Sequence, residues 1–253
     1  MTITAFYDDL AEHYHLMFED WDRSIVRQAS ILGPLLEQYS GTKAPQVLDC
    51  SCGIGTQTLG LALRGHRLIA SDLSRSSVAR AQREARRLGA EVQFHVADMR
   101  GLRLIPSQGF DVVLAADNAL PHLLSNDDLD LASRQMFGKL RPGGVVLVSL
   151  RDYDRLIETK PTMQAPSFFG EARTRRIVHQ VWDWDEGEYD LHLYLSFQAS
   201  RSWLSKHYVS RYRALLREDL NTAFKKSGFV EIEWLESDMT GYYQPIVVAR
   251  KPL

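Results

Sequence analysis

The chain has 253 residues, 45% hydrophobic and 25% charged, and Lys+Arg 30 against Asp+Glu 32 leaves a formal charge of −2. These ordinary globular values exclude a disordered or low-complexity chain, and the missing basic excess argues against a protein that grips nucleic acid mainly through phosphates. The longest apolar runs, such as Val112 to Ala116 and Val145 to Val148, fall far short of the roughly 20 residues needed to span a bilayer.

The first ten residues include Asp8 and Asp9 and lack the basic-then-apolar pattern of a secretion signal. Phe6, Leu10, Tyr14 and Phe18 recur at four-residue spacing, and a second apolar run from Ile25 to Leu36 follows Trp21. That spacing predicts helix over 5–39, broken by Gly41 and Pro45. A regular alternation follows. Strands are predicted at Val47–Cys50, Arg67–Ser71, Val92–Ala97, Phe110–Ala115 and Val145–Leu150, with helices at Thr56–Arg64, Ser74–Leu88 and Leu129–Leu140. Apolar strands alternating with amphipathic helices indicate an α/β, Rossmann-like open sheet, mostly parallel, with helices on both faces. Beyond residue 150 the period becomes two. Leu191, Leu193, Leu195 and Phe197 alternate with His192, Tyr194 and Ser196, and with Ile177–Trp184 and the turn at 185–188 they predict a long antiparallel hairpin. Trp203–Tyr212 reads as its third strand; helix Glu218–Lys226 and strands Phe229–Leu235 and Ile246–Ala249 finish the chain. The expected organisation is one domain: a helical cap over 1–42, a ligand-binding core over 43–158, an antiparallel β insert or lid over 159–212, and completion of the sheet over 213–253.

Cys50 and Cys52 are the only cysteines. They are too close for an ordinary disulfide, and no second pair completes a zinc site, so the expectation is a metal-free protein of the reduced cytoplasm. Around them runs Val47-Leu48-Asp49-Cys50-Ser51-Cys52-Gly53-Ile54-Gly55-Thr56, placed where a strand becomes a helix, the position at which open α/β sheets bind ligands. Gly53 and Gly55 allow close approach where a Cβ would collide. A dinucleotide loop would continue to a third glycine, but Thr58 stands there and Asp49 precedes the glycines. A carboxylate at that point suits a cationic ammonium better than a pyrophosphate. Asp72 ends the second strand 23 residues after Asp49, placed to accept both hydroxyls of a ribose, and Asp98 with Met99 follows the third, placed for an exocyclic amine and an apolar ring face. Together they outline an adenosine-shaped site with an acidic residue aimed at an amino acid tail.

On these residues the chain resembles the class I S-adenosylmethionine-dependent methyltransferases over most of its length. The resemblance implies S-adenosylmethionine as methyl donor, S-adenosylhomocysteine as product and no metal. It places Asp49, Ser51, Gly53 and Gly55 at the methionine part, Asp72 and Leu73 at the ribose, and Asp98 and Met99 at the adenine. Ser51 stands where the family usually has its first glycine. Two strand-end segments, Ala116-Asp117-Asn118-Ala119-Leu120-Pro121-His122-Leu123 and Leu150-Arg151-Asp152-Tyr153-Asp154, resemble the glycine and glycine/sarcosine N-methyltransferases. The motifs of that family run close to Gly-Asn-Ser-x-x-His-Leu and Asp-x-Arg-x-Tyr-Asp. Phe6-Tyr7-Asp8-Asp9-Leu10-Ala11 looks like the family segment whose tyrosine lies over the sulfonium, here Tyr7. This implies methyl transfer to the amine nitrogen of a small carboxylate-bearing molecule such as glycine or sarcosine, held by Asn118 and Arg151.

Three further candidates come from the residues alone. His122 is a candidate base with a near-neutral pKa, Tyr153 a candidate acceptor contact, and the Thr240–Pro245 segment a candidate to carry Tyr242 into the pocket. Competing readings are an O- or C-methyltransferase of a specialised metabolite with the aromatic insert as its lid, and a binding module without turnover. A nucleic-acid base methyltransferase is disfavoured because Asp117-Asn118-Ala119-Leu120 replaces the Asn/Asp-Pro-Pro-aromatic motif, and a nicotinamide oxidoreductase because of Thr58. The expected partner is a small-molecule acceptor, with neither nucleic acid nor membrane. The long N-terminal helices either reach a second copy in a homo-oligomer or close over the pocket.

Overall fold

Apolar residues one turn apart, Phe6 and Leu10, bury one face of helix α1 (Ile3–Leu10), whose first turn is capped by Thr2 accepting from the Ala5 amide. The computed structural model describes residues 2–253, so Met1 of the predicted cap lies outside the described residues. The helix expected without interruption over 5–39 is divided. After α1 comes a short 3-10 turn at Tyr14–Met17, and helix α2 (Trp21–Ser40) begins only where Asp20 accepts from the Arg23 amide. A helix restarts at such a cap because the side-chain oxygen satisfies a free N–H of the first turn.

Strand β1 (Gln46–Asp49), helix α3 (Thr56–Leu63), strand β2 (Arg67–Asp72), helix α4 (Arg75–Leu88) and strand β3 (Val92–Val96) follow in order. Then come strand β4 (Phe110–Ala115), helix α5 (Asn126–Lys139), strand β5 (Leu140–Ser149) and helix α6 (Tyr153–Thr159). Four strands make the insert: β6 (Met163–Phe169), β7 (Arg176–Asp185), β8 (Glu188–Ala199) and β9 (Ser202–Arg213). Helix α7 (Arg217–Ser227), strand β10 (Val230–Leu235), the short helix α8 (Ser237–Thr240) and strand β11 (Ile246–Arg250) complete the chain.

The main sheet has seven strands in the order β10-β11-β5-β4-β1-β2-β3, and only β11 runs against its neighbours. Successive side chains of a strand face opposite sides, so the strands feed two cores. Val47, Val112, Leu114, Val145 and Leu147 pack toward Leu32 and Leu36 of α2. Leu48, Val113, Val146 and Val148 pack toward Met136 of α5 and Phe224 of α7, and this second core runs on into the insert through Leu191, Leu193 and Tyr208. The mostly parallel α/β sheet read from the sequence is therefore present, with its antiparallel companion. The strand missed was β6. Its sequence does not alternate, and its pairing with β7 shifts register between Gln164 and Ser167, around Pro166, as proline on an edge strand allows.

Two features set the site. The chain moves outward from β1 through β2 to β3 and then returns to β4 on the other side of β1, so the sheet's direction of growth reverses between β1 and β4. Loops from the carboxyl ends of those two strands diverge and leave a crevice. Over it lie α1 and the 3-10 turn. Asp8 ties α1 to the start of α4 by accepting from Ser74 Oγ at 2.6 Å and the Ser76 amide at 3.0 Å. Arg176 of β7 fixes the segment after α1, donating to the carbonyls of Leu16, Phe18 and Glu19 at 2.9, 2.5 and 2.8 Å. Among the described residues no helix is long and apolar enough to cross a membrane.

Helix α2 meets α3 closely at Gly60, where an added Cβ would press into the Ile25 carbonyl oxygen and lie 2.7 Å from the Ala29 Cβ. Gly-to-Ala in a helix interior ordinarily gains up to about 1 kcal/mol. Here Gly60→Ala is expected to destabilise by about 1–3 kcal/mol through overpacking, and urea unfolding of the two proteins measures the sign directly.

Candidate active site

Two adjoining cavities occupy the crevice, one of about 260 Å³ and one of about 570 Å³. Tyr7, Tyr14 and Asp117 line both and form the boundary between them.

The smaller cavity is built on the loop after β1. Gly53 adopts φ +52°, and a Cβ there would stand in open space, leaving room beside the loop. Ser51 Oγ is buried without a hydrogen-bond partner in the protein. Buried hydroxyls are normally satisfied, so this oxygen marks a place for a ligand group. Asp72 closes the cavity from the end of β2, accepting from the Gly53 amide and the Ser74 amide, each at 2.9 Å. Burial pushes its carboxyl up to about 6 against those two bonds, with Asp8 and Asp98 adding to the rise. Leu73, Asp98 and Met99 complete this wall. Burial raises the Asp98 carboxyl, but its bonds to Arg100 prevail and hold it below the usual range; Arg100 bridges it to Asp128.

Two residues expected at the ligand do not line the cavity. Asp49 is turned inward, where it accepts from Thr58 Oγ1 at 2.6 Å and from the Ser51 amide at 3.2 Å, and burial lifts its carboxyl to about 6. The reason is local: Thr58 sits in the first turn of α3, directly beneath the loop, and satisfies a carboxylate that would otherwise be buried unpaired. Gly55 serves the helix start. It caps α3 at φ +98°, and a Cβ would lie 2.8 Å from Leu59 Cγ. The Cys50 and Cys52 thiols are buried, and burial pushes both upward, which makes them poor nucleophiles.

The larger cavity lies between the insert's inner face and the ends of β4 and β5. Arg151 reaches it from the end of β5 and donates to Tyr189 Oη at 3.0 Å and Gln180 Oε1 at 3.3 Å, with its guanidinium 4.7 Å from the Trp182 ring centre. These partners are neutral; among the described residues no carboxylate pairs with it. Asp152 and Asp154, its neighbours in sequence, face Arg217 instead. Asn118 lines the cavity, but both ends of its amide are engaged: Oδ1 accepts from the Arg151 amide at 3.1 Å and Nδ2 donates to Tyr153 Oη at 2.9 Å. It thus positions Arg151. Tyr153 is a correction to the expected acceptor contact. It lies buried behind the wall, its hydroxyl 2.9 Å from that of Tyr189.

Tyr242 is likewise corrected. It is 1% exposed, packed in the α2-side core with its hydroxyl donating to Gln28, and its neighbour Tyr243 faces the cavity instead. His122 is corrected in its chemistry. Burial drives its pKa down to about 3, so it stays neutral at working pH. Its Nδ1 lies 3.3 Å from the Arg211 carbonyl, which only accepts, so Nδ1 carries the proton and Nε2 accepts from Tyr7 Oη at 2.8 Å. A base of near-neutral pKa with a free lone pair is not present there.

Asp117 and Tyr14 are the boundary residues that sequence reasoning did not select. Asp117 follows β4 as Asp72 follows β2, so the strand-end reasoning already in use was enough to find it; Tyr14 was hidden in a helical period that read as core. Among the described residues, no group of three or more His, Cys, Asp or Glu side chains is placed to hold a metal ion.

Residues 47–144 match the family described as a methyltransferase domain. A glycine/sarcosine N-methyltransferase of Parasynechococcus marenigrum is 29% identical over 139 residues, 55% of this chain and 48% of that protein. The chain thus spans about half the length of such relatives. Among solved structures, DesVI of Streptomyces venezuelae superposes with a TM-score of 0.80 at 19% identity, covering 96% of this chain and 98% of that one. The sugar N-methyltransferase KedS8 from Streptoalloteichus gives 0.75 at 17% identity, covering 90% and 88%. These two show a shared fold over nearly the whole chain.

The raised carboxyl of Asp72 sets a pH dependence. It holds its proton up to about pH 6, whereas accepting both hydroxyls of a ribose, the role expected from the sequence, calls for the carboxylate. Affinity for S-adenosylhomocysteine is therefore expected to rise with pH through 6, falling below it by up to about tenfold per pH unit. Calorimetric titration from pH 5 to 8 tests this, and Asp72→Asn is expected to weaken binding and flatten the profile.

Proposed function

We propose that this chain, which carries a methyltransferase domain, moves the methyl group of S-adenosylmethionine to the amine nitrogen of a small carboxylate-bearing acceptor. The observation that carries this reading is Arg151, a cation whose partners are all neutral, lining the 570 Å³ cavity beside the donor crevice. A guanidinium has five N–H donors, and the two given to Tyr189 and Gln180 leave others for a carboxylate, a contact stronger than a neutral hydrogen bond.

The ligand-free crevice fits the donor: an unsatisfied Ser51 hydroxyl, open space at Gly53 and a buried carboxylate at Asp72. Ser51, Gly53 and Asp72 would hold it, with Met99 against an apolar ring. When bound, it supplies a methyl already activated by a positive sulfur, so the protein's task is to bring a lone pair into line at roughly 3–3.5 Å and to exclude water. Phe6, Leu10, Tyr14 and Phe18 close the acceptor cavity on the N-terminal side. Tyr7 donates its hydroxyl hydrogen bond to His122, which leaves its oxygen an acceptor at the boundary.

The relatives and fold neighbours support the reaction type: one is named for methylating glycine and sarcosine, another for methylating a sugar nitrogen. One observation favours an acceptor larger than glycine. The cavity lies within the range of about 300–1,000 Å³ typical of drug-sized ligands, and Met17, Phe18, Val178, Leu191 and Leu193 give it an apolar wall. An amine with an apolar body, or an amino sugar, is the second reading.

Incubation with methyl-labelled S-adenosylmethionine and glycine, sarcosine or L-phenylalanine tests the activity; no S-adenosylhomocysteine from any amine would refute it. Arg151→Leu is expected to raise the acceptor KM by about 10- to 100-fold, the loss of about 1.5–3 kcal/mol from a charged hydrogen bond. Donor affinity should change less than about twofold; equal effects on both would remove the acceptor role.

A further inference from the structure

Asp117 is a half-buried carboxylate at the meeting point of the two cavities. Tyr14 donates to Oδ2 at 2.8 Å and Tyr243 to Oδ1 at 2.6 Å. Each oxygen therefore has one bond and one unused acceptor site, and among the described residues no cation pairs with it. Its backbone is also unusual. Asp117 and Asn118 adopt φ +60° and +66°, consecutive left-handed residues that are not glycine. This arrangement is locked by the Asp117 amide donating to Ser149 Oγ at 2.8 Å and the Asn118 amide to the Ser149 carbonyl at 3.1 Å. Strain of this kind persists where the surroundings impose it, and it concentrates at functional sites. Here it aims a carboxylate at the boundary through which any group passing from one cavity to the other must travel.

Resting on the amine-acceptor reading above, we infer that Asp117 is a catalytic residue that binds the acceptor's ammonium group and takes its proton. The other candidates at the boundary are unsuited. His122 has its accepting nitrogen filled by Tyr7, and burial holds Tyr7 and Tyr14 as neutral phenols. The groups facing Asp117 are Tyr7 and Tyr14 from the N-terminal segment, Tyr242 and Tyr243 from the C-terminal one, and Arg151 from the end of β5. Burial lifts the Asp117 carboxyl above the usual range, against its tyrosine bonds and the Arg151 charge, which makes it a better proton acceptor than an exposed aspartate.

The step balances. A proton leaves the ammonium for an Asp117 oxygen and frees the nitrogen lone pair. That pair forms the new N–C bond as the C–S bond breaks and its electrons return to sulfur, giving a methylated ammonium and a neutral thioether. Asp117 releases its proton to water after the product departs. With Arg151 lining the same cavity, the site offers one anion and one cation to a zwitterion.

The test is Asp117→Asn, an isosteric change to a residue that tolerates left-handed φ. Glycine, sarcosine and L-phenylalanine are titrated by calorimetry into wild type and variant saturated with S-adenosylhomocysteine, at pH 7 and pH 10, and turnover is followed over the same range. The variant is expected to bind S-adenosylhomocysteine within twofold of wild type and the amine at least tenfold more weakly at pH 7. At pH 10, where the free amine is abundant, the deficit should shrink and turnover recover. Equal amine affinity at pH 7, or a deficit unchanged at pH 10, overturns the assignment while leaving the amine reading intact. Failure of wild type to bind or methylate all three amines removes both.

Discussion

Three carboxylates stand at one edge of the sheet, Asp49 and Asp72 buried and Asp117 half-buried, and no cation pairs with any of them among the described residues. Burying charge in this way is costly unless hydrogen bonds or a partner compensate. Asp49 is satisfied within the protein by Thr58 and Ser51, Asp72 by two backbone amides, and Asp117 by two tyrosine hydroxyls. Each therefore has one bond to each oxygen, and they differ in what they face: Asp49 lines neither cavity, Asp72 the smaller one, and Asp117 both. A negatively lined crevice of this kind favours cationic ligands, and it is tolerable because two extended apolar cores lie beneath it.

The cover over this edge is assembled from distant parts of the chain. Tyr14 and Tyr243 meet on Asp117, joining the N-terminal segment to the loop before β11 across one side chain. Arg176, from the insert, grips three carbonyls of the same N-terminal segment. Arginine is suited to this task, since its fixed fork serves several acceptors at once.

The fold was legible wherever one period dominated. The run Phe110–Ala115, apolar but for Asp111, became β4 with the expected bounds, and the strict alternation about Leu191 to Phe197 lies within β8. Boundaries failed where a cap overrode periodicity, as at Asp20, and β6 was missed because Pro166 and its irregular register erased the alternation. The crevice itself was legible because strand ends converge at the reversal between β1 and β4. Sequence position identifies which residues reach that edge but not which way a side chain turns. Asp49 and Tyr242 both reach it and both turn inward, to Thr58 and Gln28, because a hydrogen-bond partner lies beneath them. His122 illustrates a second limit: its identity suggests a proton carrier, yet burial and the Arg211 carbonyl make it a neutral acceptor.

That carbonyl ties the insert to the core more deeply than packing does. Arg211 lies on β9, and its own side chain is anchored to Asp185, Glu188 and Asp190 of the neighbouring hairpin. The pairing of β8 with β9 thus decides which ring nitrogen of a core imidazole holds hydrogen, and through it which way the Tyr7 hydroxyl points its proton. A slip of one residue along that pairing would turn the carbonyl at this position toward β8 and leave the imidazole without its acceptor. The antiparallel sheet is consequently not an interchangeable accessory: a homologous lid grafted onto this core would inherit its shape and lose its protonation pattern unless the strand register came with it.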